Sequence, residues 1–160
     1  QARICIKIMQ KISKKPRIIY ATLEDEVNKK YQKKSCNVIN VGFKNHMPTL
    51  LSKIGIAIIG SGTIRYETCT LGIPTISFAQ FDEDAKSVKE FEKEGLCRYG
   101  GKVYEMHQDE IRKSIVDFVE NKDQLEKLSQ RCLKSMHLEV EGIAQIVQAV
   151  EECTKMNAIE

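Results

Sequence analysis

Residues 54–78 read IGIAIIGSGTIRYETCTLGIPTISF, a buried strand, a small-residue turn, a short helix and a second buried strand in unbroken succession. IGIAIIG has the continuous apolar, β-branched character of a strand covered on both faces. Gly60, Ser61, Gly62 and Thr63 follow it, where any side chain beyond a hydroxymethyl would hold a ligand away from the backbone. Free amides at the start of the helix that follows, with its positive dipole end, favour an anion. Glu67 falls about one turn in, facing the same crevice if the helix starts near Thr63. An acid just beyond a phosphate cradle suits ribose hydroxyls.

The same residues have a plainer reading, a tight strand-to-helix loop with Thr63 as N-cap. The turn matches neither GxGxxG nor GxxxxGK[ST] and contains no Lys, so neither a dinucleotide fingerprint nor a P-loop is present and ATP hydrolysis is not expected. A capping box does not account for Glu67, because with Thr63 as N-cap the third helical position is Tyr66. That tilts Glu67 towards a functional role over a capping or surface one.

The run from Ile54 to Pro74, with Tyr66-Glu67 entering a helix that ends at Leu71-Gly72-Ile73-Pro74, resembles the C-terminal, nucleotide-binding half of GT-B-fold sugar-nucleotide enzymes. The nearest likeness is to the UDP-sugar hydrolase of pseudaminic acid biosynthesis and its spore-coat polysaccharide relatives. A more distant one is to the peptidoglycan N-acetylglucosaminyltransferase. Further pieces agree in order: Val41-Gly42-Phe43, Asn45 and Met47, Ala79 and Asp82, Glu94-Gly95-Leu96, and residues 141–147. The resemblance implies a Rossmann-like α/β domain with a parallel sheet and C-terminal helices. Gly60 to Thr63 would receive phosphate and Glu67 the uridine ribose, with Phe43 on the base or the crevice wall and Asp82 at the same edge. It implies a UDP-linked amino sugar as substrate, hydrolysis or transfer as the reaction, and a general base on a separate N-terminal domain. It also implies that an opening strand and Gly-rich loop precede Gln1, so that the 160 residues are one domain of a larger protein.

The chain departs from the family pattern in three places. It has Ser61-Gly62 for paired glycines, Gly55 for an Asp, and Glu83-Asp84 for an Asn-Gln pair. Two acids at the last position would repel a diphosphate. Asp82, Glu83 and Asp84 read instead as the acidic first turn of the next helix. A second functional class stays open on this account: a non-catalytic sugar-nucleotide-binding or scaffolding module, attached to a sugar-activating enzyme.

At 160 residues and 42% apolar the chain fits one domain with a real core, and 29% charged residues suit a solvated surface. The net charge of +3 comes from interspersed acids and bases, which does not call for nucleic acid. Six cysteines, at 5, 36, 69, 97, 132 and 153, are too far apart for a CxxC metal or redox pair and fit reduced structural thiols in a cytoplasmic protein. No metal or cofactor is called for, and no apolar run is long enough for membrane insertion. His46, His107 and His137 stand apart from any Ser or Cys at an activating spacing, so polar loop or capping roles suit them and no catalytic residue is assigned. Cys69 reads as a core thiol.

The flanking pattern alternates as a parallel α/β domain should. Ile4, Cys5, Ile8, Met9 and Ile12 make a helical stripe, and strands are expected at residues 17–21, 37–41 and 96–99. Helices are expected from Thr22, over 45–53, 84–94, 108–120, 123–136 and 141–154, with Gly100-Gly101-Lys102 as a flexible connection. Ligands of such sheets bind beyond the carboxyl ends of the strands. Gly42-Phe43, Gly60 to Thr63, Ala79 to Asp82 and Gly100-Gly101 then gather on one edge.

Overall fold

The computed structural model describes residues 18–20, 38–40, 47–135 and 147–151. Within them the chain is an α/β protein whose strands all pair in parallel. β1 (Ile18–Tyr20) pairs with β2 (Val38–Asn40), and a second sheet has the order β3 (Ala57–Ile59), β4 (Thr75–Ala79), β5 (Arg98–Lys102). The helices are α1 (Met47–Leu51), α2 (Ile64–Thr70), α3 (Asp82–Lys93), α4 (Gln108–Glu120) and α5 (Lys122–Ser135), with a 3-10 turn at Val103–Glu105 and a last helical stretch, α6, over 147–151. The arrangement is compatible with a Rossmann-like fold. The helical stripe of residues 4–12, the N-cap at Thr22 and most of the helix expected over 141–154 lie outside the described residues.

The strand buried on both faces is β4 rather than β3. Every residue of TISFA is buried, whereas in β3 only Ala57 is buried and Ile58 and Ile59 are half-covered. Position explains the difference. β4 lies between two partners, while β3 is an edge of its sheet among the described residues, so the burial expected of both strands is full in β4 and partial in β3.

Side chains alternate along β4. Ile76 and Phe78 enter the main core with Ile111, Ile115, Phe118 and Leu128, and so draw α4 and α5 onto one face. Right-handed crossovers through α2 and α3 place those helices on the other. Leu51, Ala57 and Ile73 form a smaller cluster beneath α1. The polar residues of β4 are satisfied where they are buried: Thr75 Oγ1 donates to the Ile73 carbonyl at 2.8 Å and Ser77 Oγ to the Gly60 carbonyl at 2.8 Å.

Helices α2 and α3 end alike. Gly72 (φ 65°) and Gly95 (φ 71°) adopt the left-handed conformation, and the amides after them reach back to Thr68 (2.8 Å) and Phe91 (3.0 Å). This closes the last carbonyls of each helix and turns the chain into the next strand.

Gly100-Gly101-Lys102 is not a flexible connection. It forms the end of β5, with a register shift opposite Ser77 and Phe78. A Cβ at Gly100 would lie 2.6 Å from the ring carbons of Phe78, and Gly101 (φ 118°) presses on the Met106 sulfur. The glycines are there because the Phe78 ring and Met106 take the space side chains would fill. Gly100→Ala should therefore overpack the core and lower stability by about 1–3 kcal/mol, read as a reduced urea midpoint at unchanged m-value. An unaltered midpoint would show that Phe78 can move aside.

Candidate functional site

Because the strands are parallel, the chain leaves β3, β4 and β5 on one edge, and neighbouring strands lie about 4.8 Å apart. The turn from Gly60 to Thr63, the segment Gln80 to Asp82 and the Val103–Glu105 turn therefore adjoin each other. Of the residues expected at the site, Gly60, Ser61, Gly62, Thr63, Glu67 and Asp82 come to this edge or the first turn of its helix. Phe43, like Gly42 and His46, lies outside the described residues. Ala79 is fully buried and so unavailable to a ligand, and Gly100 and Gly101 serve packing within β5.

The turn after β3 is open. Gly60, Gly62 and Thr63 are exposed and Ser61 is half-exposed. Thr63 does not cap α2: it takes helical angles itself (φ −61°, ψ −22°) and its side chain makes no cap hydrogen bond. The helical turn begins one residue earlier instead, with Arg65 N donating to Gly62 O (3.4 Å) and Tyr66 N to Thr63 O (2.9 Å). The capping reading of Thr63 is thereby corrected.

Gly60 and Gly62 need separate comment. Neither has a left-handed backbone, and a Cβ built on either, as on Gly55, meets no atom of the described residues within 4 Å. Within those residues neither conformation nor packing calls for glycine here. Glu67 is exposed, and its carboxylate takes no hydrogen-bond or ion-pair partner among the described residues.

Asp82 is otherwise occupied. Its carboxylate accepts from Lys102 Nζ at 2.7 Å, and Lys102 also pairs with Glu105. The hydrogen bond from Lys102, and then its charge, hold the Asp82 carboxyl below the usual range. The bonds to Asp82 and Glu105 raise the Lys102 ammonium in turn. Asp82 and Lys102 stay charged through neutral pH, although the exposure of the acids keeps the energetic contribution small. Asp84 accepts from the Phe81 amide at 3.4 Å, and α3 begins with Asp82, Glu83 and Asp84 as its acidic first turn. Those acids close a helix end, as expected. Phe81 has no polar side chain, so only this half of a capping box exists.

Sequence reading missed Lys102, Phe81 and Tyr104. The register pair Ala79–Lys102 brings Lys102 beside Asp82, a meeting that no local pattern encodes. Phe81 (63% exposed) and Tyr104 (71% exposed) each adjoin one of the acids that Lys102 holds, and their only sequence signal is an aromatic placed directly after a strand. His107 is exposed at the N-terminus of α4, where its amide donates to Glu110 at 2.7 Å, in keeping with a terminal role. No group of His, Cys, Asp and Glu side chains among the described residues is arranged to hold a metal. No helix among them is long and apolar enough to cross a membrane.

Arg65 is the one buried cation among the described residues, 7% exposed. Its Nη2 donates to Ser87 Oγ, but Nε and Nη1 have no hydrogen-bond partner. The guanidinium lies 5.2 Å from the Tyr66 ring centre and 5.3 Å from that of Phe91. These two rings meet edge to face at 4.9 Å, so ring faces stand in for the missing acceptors.

Comparison of the chain with protein-family models gives no match, and comparison with curated proteins gives none either.

The desolvation of Arg65 outweighs what two ring contacts return. Arg65→Met, similar in length and without unmet donors, should unfold at an equal or higher urea concentration than the parent. Arg65→Ala should unfold at a lower one, because it leaves a void. A clear fall for Arg65→Met would mean that the ring contacts dominate.

Proposed function

We propose that this domain is the nucleotide-binding half of a GT-B-type enzyme acting on a UDP-linked amino sugar, with hydrolysis by a base-activated water as the reaction and transfer to an acceptor as its variant. The observation that carries the reading is the pair of glycines at 60 and 62. Among the described residues nothing in the fold requires them, they stand on the carboxyl edge of a parallel sheet, and Glu67, whose carboxylate has no partner among those residues, lies one helical turn away. In this reading the amides of Ser61, Gly62 and Thr63 receive phosphate, and Glu67 accepts from the ribose hydroxyls. Phe43 belongs to the base or to the crevice wall, and Asp82 borders the site through its pair with Lys102.

Sheet order supports the parent architecture. In the doubly wound order 3-2-1-4-5-6, β2-β1 corresponds to one half and β3-β4-β5 to the other, with one strand between them. The general base and most sugar contacts would reside on an N-terminal partner domain. A cytoplasmic setting suits such an enzyme.

A second reading, a non-catalytic sugar-nucleotide-binding or scaffolding module, is favoured by one observation. Asp84 bonds to the Phe81 amide at the start of α3, so the position that carries an amide pair in the family here serves the helix itself.

Titration with UDP separates these ideas. Glu67→Gln should weaken UDP binding about tenfold to a hundredfold while a 2′,3′-dideoxy analogue binds both proteins alike. Gly62→Val should leave the melting temperature nearly unchanged, since its Cβ enters open space, yet weaken UDP and UMP binding more than uridine binding. Equal affinity of Glu67→Gln and the parent for UDP would remove the ribose assignment. The chain alone should show no sugar-nucleotide turnover, and robust hydrolysis by the purified chain would contradict the two-domain reading.

A further inference from the structure

We propose that Lys102 binds the second phosphoryl group of a nucleoside diphosphate, held in place for it by Asp82 and Glu105. The inference rests on the reading of Gly60 to Thr63 as the turn that receives the first phosphate, and it supplies the side-chain cation that the turn itself lacks. Its placement comes from the register of the sheet. Lys102 ends β5 opposite Ala79 of β4, and its ammonium reaches across to Asp82, which opens α3 just after β4. The head group therefore stands beside the β4 end although its backbone belongs to β5. The turn after β3 is the next along this edge, about one strand spacing of 4.8 Å further on. A second phosphoryl group that extends from the turn towards β4 meets Lys102 there.

The ammonium has capacity left for a ligand. It carries three N–H donors. Asp82 accepts one at 2.7 Å and Glu105 pairs with a second, and no acceptor among the described residues takes the third. The Lys102 side chain is 23% exposed, against 75% for Asp82 and 65% for Glu105. The acids thus grip a cation that is mostly covered yet still open to solvent on one side, and no part of the fold has to move for a phosphate oxygen to reach it.

The two acids act in opposite senses. They come from separate elements, α3 and the Val103–Glu105 turn, so the rotamer freedom of the lysine is spent on folding and not on binding. Two carboxylates beside one ammonium also leave a net negative charge, which opposes an anion. Asp82 is therefore a positioning residue that limits how tightly a diphosphate is held. The rest of the acidic turn is partly neutralised in the same way, since Asp84 accepts from the Phe81 amide.

The test titrates the chain with UDP and with UMP by calorimetry, in buffer free of divalent cations. The parent should bind UDP more tightly than UMP. Lys102→Met should weaken UDP binding about threefold to tenfold and leave UMP binding within about twofold, so that the two affinities converge, and Lys102→Arg should keep most of the preference for UDP. Asp82→Asn retains an acceptor for Lys102 and removes one negative charge, so it should strengthen UDP binding about threefold at low salt and leave UMP binding unchanged. A structural role alone would lower the melting temperature of Lys102→Met without altering the ratio of the two affinities. An unaltered ratio in that variant, or weaker UDP binding by Asp82→Asn, would overturn the inference and leave the phosphate turn in place. A parent chain that binds neither nucleotide would overturn both.

Discussion

The carboxyl edge is organised by the burial of a single strand. All five residues of β4 are covered, and a strand in that position can carry polar side chains only where each finds an acceptor. Ser77 finds the Gly60 carbonyl at 2.8 Å, which fixes the first residue of the exposed turn to the most rigid element of the sheet. Phe78, one residue on, points to the other face and takes the space above Gly100. One strand therefore sets both the anchor of the candidate site and the shape of the neighbouring strand.

Local signals read well where they depend on neighbours in sequence. The helix expected over 108–120 is found at Gln108–Glu120, and that expected over 123–136 at Lys122–Ser135, because apolar spacing and acidic starts are properties of one segment. The acids at 82–84 are likewise found in the first turn of α3. What failed required knowledge of partners. The residues of β3 read as a strand buried on both faces until its half-covered Ile58 and Ile59 are placed. Gly100-Gly101 looks like a loop until the Phe78 ring is placed above it. The Lys102–Asp82 pair follows from the register of β4 against β5, which no single segment contains.

Charge at this edge is largely spent within the protein. Lys102 is held by Asp82 and Glu105, and Asp84 by the Phe81 amide. The cation nearest in sequence to the turn, Arg65, is turned into the groove between α2 and α3, where Ser87, Tyr66 and Phe91 surround it. Among the described residues, an anion bound at the turn would thus meet backbone amides rather than a side-chain cation. This matches a Gly-Ser-Gly-Thr turn without Lys, and it places the demand for recognition on the approach of the backbone.

That demand is where the glycines become informative. Gly72, Gly95 and Gly101 are explained by positive φ, and Gly72, Gly100 and Gly101 by atoms that already occupy the position of a Cβ. In each case the fold selects the residue. At Gly60 and Gly62 the backbone is ordinary and no atom of the described residues fills the space beyond Cα, so against those residues alanine would give up nothing in folding and would gain from a less flexible unfolded chain. Glycine at two such positions in one four-residue turn costs stability without returning any within the domain. Gly55 has the same open space and ordinary backbone, so what sets Gly60 and Gly62 apart is their place together in one exposed turn at the carboxyl edge, where the proposed phosphate would approach.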